Sequence, residues 1–372
     1  MSDNVKVWRV VSWLAVGGAL WLYGTIPFEE WPYRVWDLAA YRRMAEAAPG
    51  VADGVSQPFA YRVLGPWLAG VTPGDTTLGF RLWTVVAAVG LLVGGQRFLR
   101  RMGLPESVCL LTVWFLACNR YIVGFPVWNV FQVNDLLALC AVVGLLGALR
   151  ERAWRWFAVI LAVGVLARET PLLMVPVALV DLWNGNADRR EWTRAAGSFV
   201  PGIVVFLGVR ALVPSSGGLG LHEAFARHGD KLFEGEVWLR LWLNTFLPFC
   251  FLPFVWWRST GAFVRRRPDM VVFVGLVFLS CLFGTNHERL MAPAGLVFYV
   301  WLAERLAALR PGCMETVLLC AAAGVGSLHH LYGRWPLPDR VWTVWLSGGT
   351  TAAVTAWAVW RTMWTKTDIS YS

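Results

Sequence analysis

Runs of about twenty apolar residues recur along the whole length of this chain, separated by short and mostly basic loops. That pattern restricts the fold more than any motif does. Inside a bilayer every backbone N–H and C=O must find its partner within the protein, so a segment can cross only as a helix or as part of a closed barrel. Apolar runs of helical length select the first. The composition agrees, being 57% hydrophobic and only 15% charged over 372 residues, with a mean hydropathy of +0.53. The 24 tryptophans suit the two membrane–water interfaces.

On the ruler of about twenty residues per crossing, spans are expected near 10–28, 79–96, 108–125, 127–149, 196–213, 237–257, 270–285, 290–305, 313–331 and 341–361. The first follows Lys6 and Arg9, and no small-residue cleavage site comes after it, so a retained helix is expected rather than a signal peptide. The expectation is one all-α domain over residues 1–372, a polytopic integral membrane protein of about ten to twelve transmembrane segments.

The formal charge of +9 does not point to nucleic acid. The basic residues gather in loops such as "RFLRR" (97–101), "RERAWR" (150–155), "ADRREWTR" (187–194), "RRRPD" (265–269) and "AERLAALR" (303–310). That is the positive-inside signature, and it places these loops and both termini in the cytoplasm of a multi-pass plasma-membrane protein. The seven cysteines form no CxxC and no metal spacing with histidine.

One apolar stretch needs two crossings. "WFAVILAVGVLARETPLLMVPVALV" (156–180) is interrupted only by Arg168, Glu169 and Thr170, closed by Pro171. Basic loops flank it on both sides, so it must go out and return. Each leg has about twelve residues, roughly 18 Å, and Pro171 breaks the ladder between them. A short hairpin over 156–183 is expected, its charged tip aimed at the outer side; a single long helix with a buried ion pair is the alternative. A charge in such a place costs roughly 3 kcal/mol and is usually functional.

With this orientation the unusual polar residues fall outside. The first outer loop, 29–78, carries Asp37, Tyr41, Arg42, Arg43, Tyr61 and Arg62. Within it, 35–48 has Trp36, Ala40, Met44 and Ala47 at helical spacing and reads as a helix lying on the outer surface, with a second short helix over 58–70. Asn119 and Arg120 end the third span. Asn129, Gln132 and Asp135, three residues apart, are expected on one broad face of the fourth, with Asn134 pointing elsewhere. His287, Glu288 and Arg289 occupy a later outer turn, and 214–236 forms a long outer loop, either a lid or a plain connector. A polar cavity opening outward is the expectation, whereas a transporter would keep such groups near the midplane.

The segments "WDLAAY", "PFAYRVLGP", "ARET" and "NHERLMAP", with an aspartate in a folded first outer loop and a many-spanned body, resemble the GT-C superfamily of membrane glycosyltransferases. The resemblance implies transfer of a sugar, with inversion, from a polyprenyl-phosphate lipid to a hydroxyl acceptor on the extracytoplasmic side. Asp37 then stands as the base that receives the acceptor proton. Arg62, Arg168, His287 and Arg289 stand as cations for the departing phosphate. Tyr41, Tyr61, Asn129, Asp135, Glu169 and Glu288 are supporting or sugar-binding, with Glu169 orienting Arg168 and Asp135 either binding sugar or holding an arginine. Many members carry paired acids in this loop, whereas Asp37 has only Glu29 and Glu30 nearby; no metal is indicated, and the cofactor stays open. Plainer roles compete at each position: Asp37 as a helix cap, Arg62 snorkelling to headgroups, and His287 and Arg289 as interfacial anchors. At the level of the whole chain the rivals are a lipid or glycan transporter and a non-catalytic lipid-binding subunit.

Overall fold

A computed structural model describes residues 3–24, 38–217, 223, 225–226, 229, 234–283, 286–327 and 340–364. Among them every regular element is a helix. In chain order these are α1 (Asp3–Gly24), α2 (Leu38–Glu46), α3 (Leu64–Gly70), α4 (Thr76–Arg101), α5 (Glu106–Cys118), α6 (Phe125–Trp128), α7 (Val133–Arg150), α8 (Trp154–Ala167), α9 (Met174–Asn184), α10 (Arg189–Leu212), α11 (Gly235–Phe246), α12 (Leu252–Val255), α13 (Trp257–Arg266), α14 (Pro268–Ser280), α15 (His287–Leu309), α16 (Cys313–Ser327) and α17 (Arg340–Trp364). Asp37, the residues around Glu29 and Glu30, and most of loop 214–236 lie outside the described residues.

Four helices are long and apolar enough to cross a membrane: α4, the segment Val130–Arg150 that contains α7, α10 and α15. A bent pair, Glu106–Cys118 with Arg120–Trp128, makes a fifth if counted as one span. α8, α14 and α16 are apolar but shorter. The outward side of α10 is itself apolar, with Val200, Val204 and Leu207 more than half exposed. Such a contiguous apolar exterior suits a lipid environment and is disfavoured against water.

Ion pairs bring many helix ends to one pole. Arg9 and Arg100 both reach Glu106 at the start of α5 (3.2 and 2.9 Å). Arg101 pairs with Glu151 (2.6 Å), and Arg152 joins Asp181 and Glu191. Arg266 meets Glu304 (3.0 Å), Arg361 meets Glu315 (3.0 Å), and Arg361 also donates to the Leu309 carbonyl (3.1 Å). Pairs of this kind, at least partly open to solvent, contribute only about 1 kcal/mol each. Their value is geometric, because they gather the basic loops into one rim. The beginning of α1 and the end of α17 belong to that same rim.

The expected hairpin is present. α8 climbs from the rim, Arg168 is extended (φ −166°, ψ 163°), Thr170–Leu173 form a 3-10 turn, and α9 descends. The Arg152–Asp181 ion pair ties the foot of α8 to the foot of α9, which a single continuous helix would forbid. Its tip therefore stands at the pole opposite the rim.

Three expectations about helices are corrected. Residues 237–257 are not one span: α11 stops at Phe246, and Pro248 and Pro253, each lacking a backbone N–H, leave only turns and the four-residue α12 before Trp257. Residues 108–125 bend by 62° at Asn119, whose side chain caps the next segment by accepting from Tyr121 N and Ile122 N (3.0 and 2.9 Å). Asn129 is non-helical (φ −98°, ψ 84°) and precedes a 3-10 turn, so it does not share a helical face with Asp135.

The described part of the segment expected as the first outer loop, 38–78, carries two helices, α2 and α3, on the far pole. In α2 the buried residues are Ala40, Tyr41, Met44 and Ala45, so Tyr41 belongs to the inward stripe rather than to a separate face. α3 lies close to α4 because glycine permits it: a Cβ on Gly79 would sit 2.3 Å from the Ala69 carbonyl oxygen. Alanine in a helix is ordinarily about 0.5–1 kcal/mol better than glycine. Here the clash reverses the sign, and Gly79→Ala is expected to cost about 1–3 kcal/mol, read as a lower unfolding temperature of the purified protein.

Candidate functional site

Six charged side chains from five parts of the chain meet at the far pole. Asp135 opens the first turn of α7 and Arg289 the first turn of α15, where Asn286 caps the helix. Arg168 and Glu169 form the hairpin tip. Arg62 lies between a 3-10 turn at Phe59–Tyr61 and α3, and Arg210 sits in the last turn of α10.

They divide into two linked groups. Arg168 Nη1 donates to Asp135 Oδ1 at 2.6 Å. Arg289 Nε donates to Asp135 Oδ2, and its Nη2 reaches Oδ1 at 3.4 Å. One carboxylate is thus held by two guanidiniums, with Asp135 and Arg168 both buried. In the second group Glu169 accepts from Arg62 Nη2 (3.3 Å) and from Arg210 Nη2 (3.2 Å). Among the described residues four guanidiniums face two carboxylates, an excess of two positive charges, with the first group buried and the second partly exposed. Charges in this setting persist only when paired, and the surplus draws an anion. Glu169 does not orient Arg168 by direct contact, as the sequence suggested. Asp135 does so, because the extended backbone at Arg168 turns the neighbouring side chains to different sides.

Supporting contacts hold the arginines in place. The Asn134 side chain accepts from Gly65 N (2.9 Å) and donates to the Arg62 carbonyl (3.0 Å), both buried. It staples the segment carrying Arg62 onto α7. Without it a donor and an acceptor would be stranded, so Asn134→Ala is expected to lower stability by roughly 2–4 kcal/mol, measured by heat unfolding. Tyr41 lies edge-on to Phe59 (centroids 5.7 Å apart), and its phenol contributes to the electrostatics around the Arg62 guanidinium. Burial works against the Arg62 charge, but Glu169 and the Tyr41 phenol outweigh it and hold the guanidinium protonated above the ordinary arginine range. Tyr61 lies beneath the Arg210 guanidinium (4.8 Å to the ring centre) and its hydroxyl meets Ser215 Oγ (3.3 Å).

A cleft of about 240 Å³, including its open mouth, runs beside the first group. Tyr121, Asp135, Arg168, Thr170, Arg289 and Pro293 line it. Its enclosed part has room for about one water molecule, so an anion larger than that must open the cleft or displace a carboxylate.

Of the residues singled out from sequence, Arg62, Arg168, Arg289, Asp135 and Glu169 come together, with Tyr41 and Tyr61 behind them. His287, Glu288 and Asn129 do not line the cleft. His287 starts α15, with its carbonyl accepting from Cys281 Sγ (3.7 Å); Glu288 accepts from Asn244 (3.2 Å). Arg210 and Asn134 were missed. Arg210 is a lone arginine at the end of an apolar run, the usual sign of snorkelling. Nothing local marks Asn134 as a staple. Among the described residues no three His, Cys, Asp or Glu side chains are placed to hold a metal.

No family model matches the chain, and no curated protein matches it significantly.

Proposed function

We propose that the protein is a polytopic membrane glycosyltransferase of the GT-C type, moving a sugar from a polyprenyl-phosphate lipid to a hydroxyl acceptor on the extracytoplasmic side. Its helices run between the two poles in about ten to twelve passes. The basic rim, with the start of α1 and the end of α17, is cytoplasmic by the positive-inside rule; the arginine cluster then faces outward. One observation carries the reading: Arg62, Arg168, Arg210 and Arg289 converge at the pole opposite the rim, where α2 begins one residue after Asp37.

In this reaction the acceptor oxygen attacks the anomeric carbon from the face opposite the phosphate. The C–O bond to phosphate breaks, its electron pair leaves on the phosphate oxygen, and the acceptor proton passes to a carboxylate, as in inverting glycoside chemistry. The departing phosphate gains charge that Arg168, Arg289 and Arg62 are suited to stabilise, guanidinium being the fitting planar partner for phosphate oxygens. Both oxygens of Asp135 and both of Glu169 are already engaged by arginines. Asp37, the aspartate of the first loop that the resemblance singles out, is the proposed base. The gathering of the charges on the side away from the basic rim is the arrangement expected for transfer chemistry on one face of the membrane, whereas alternating access calls for a site reachable from both sides.

The test is incubation of the purified full chain in nanodiscs with a panel of radiolabelled polyprenyl-phosphate sugars and extracted acceptors. Release of the lipid phosphate together with a labelled glycan product is expected. Movement of intact lipid across the bilayer without bond cleavage would replace this reading with a transporter, and retention without either would leave a lipid-binding subunit.

A further inference from the structure

The basic rim is not uniform. Several of its arginines are spent on acids: Arg100 on Glu106, Arg101 on Glu151, Arg152 on Asp181 and Glu191, Arg266 on Glu304 and Arg361 on Glu315. α13, "WRSTGAFVRR", has no acidic residue of its own, and of its three arginines Arg266 alone forms an ion pair among the described residues. Its ten residues span roughly 15 Å, too little to cross a membrane. It is fixed at the rim from one side. Trp256, just before it, donates to Thr362 Oγ1 (3.1 Å) and packs on Trp301 and Trp357 (6.1 Å each), while Ala262 and Phe263 are buried.

The opposite side presents a mixed surface. Trp257 is 65% exposed and Phe254, in α12, is 64% exposed. Val264, Arg258 and Arg265 are exposed as well. Positions 257, 258, 261, 264 and 265 fall on one helical face. At its centre Gly261 leaves a gap: nothing but Arg265 Nη1, 3.9 Å away, approaches the place a side chain would take. Arg258 lies over the Trp257 ring (5.3 Å) and, like Arg265, makes no ion pair among the described residues. Two uncommitted guanidiniums thus flank a notch, beside aromatic and aliphatic groups that water would not favour.

We infer that α13 is an interfacial helix holding the phosphate of an anionic lipid headgroup at the cytoplasmic face, between Arg258 and Arg265 over Gly261, with Trp257, Phe254 and Val264 in the acyl region. Guanidinium is the fitting partner for phosphate, and apolar residues beside it select a lipid over a free anion. The inference rests on the membrane placement given above and is independent of glycosyl transfer.

The test uses the full chain in nanodiscs of phosphatidylcholine alone or with phosphatidylglycerol, counting retained anionic lipid by native mass spectrometry. The parent should keep phosphatidylglycerol in preference to phosphatidylcholine. The double variant R258Q/R265Q should bind it about 30-fold more weakly, while R155Q/R194Q, elsewhere in the basic loops, should leave that affinity unchanged. Gly261→Leu keeps every charge but fills the notch, and should also lose the preference. Unchanged retention in both α13 variants would overturn the inference, as would equal displacement of the lipid by millimolar inorganic phosphate.

Discussion

Replacing Asp135 by asparagine is expected to lower folding stability by about 3–5 kcal/mol, the usual cost of stripping a buried pair of one partner. The effect is large because one carboxylate serves two guanidiniums: Arg168 and Arg289 both spend hydrogen bonds on it, and Arg168 is buried. Asparagine keeps the shape but supplies no charge, so the excess of positive charge in the cluster rises from two to three. The loss should be partly recovered in D135N/R168Q, where a surplus cation goes with the anion. A double-mutant cycle by thermal unfolding in detergent reads the coupling directly. If D135N unfolds at the parent temperature, the carboxylate is not the counter-charge that its hydrogen bonds make it.

Asp37→Asn carries the other large expectation. Removing a general base lowers turnover by about 10²–10⁴-fold, so the variant should release almost no lipid phosphate while folding and retaining lipid like the parent. Asp37 lies outside the described residues; the resemblance to GT-C enzymes assigns it this role, and Asp135 and Glu169 are held by arginines. The control is Tyr61→Phe, which keeps the ring beneath Arg210 and loses only the contact with Ser215; its turnover should change by much less. A D37N protein that transfers sugar at the parent rate would move the base assignment elsewhere.

Much of the frame was legible because membrane physics leaves few options. The hairpin followed from two basic flanks on either side of one short apolar stretch with Pro171 in its middle. Arg168 and Arg289 stood out because an arginine in apolar sequence is costly. Partners were harder to read. Glu169 sits beside Arg168 in sequence but bonds Arg62 and Arg210, 107 and 41 residues away, and no local pattern encodes that choice. Arg210 and Asn134 owe their roles wholly to what lies opposite them. The break after Phe246 was visible as Pro248 and Pro253, but the apolar count outweighed them. Three-residue spacing grouped Asn129 with Asp135, whereas the 3-10 turn between them breaks the helical register that such spacing assumes.

The wiring of the hairpin tip also fixes an order of events during synthesis. Asp135 waits only 33 residues for Arg168, so this pair can form as soon as the hairpin leaves the ribosome, and the arginine need never enter lipid with its charge unmatched. Arg62 waits 107 residues for Glu169. Arg289 emerges 154 residues after Asp135 and completes a carboxylate already half claimed. The arginine cluster is therefore completed only when the chain has grown into α15, and a nascent protein halted before that helix holds the hairpin without its final clasp.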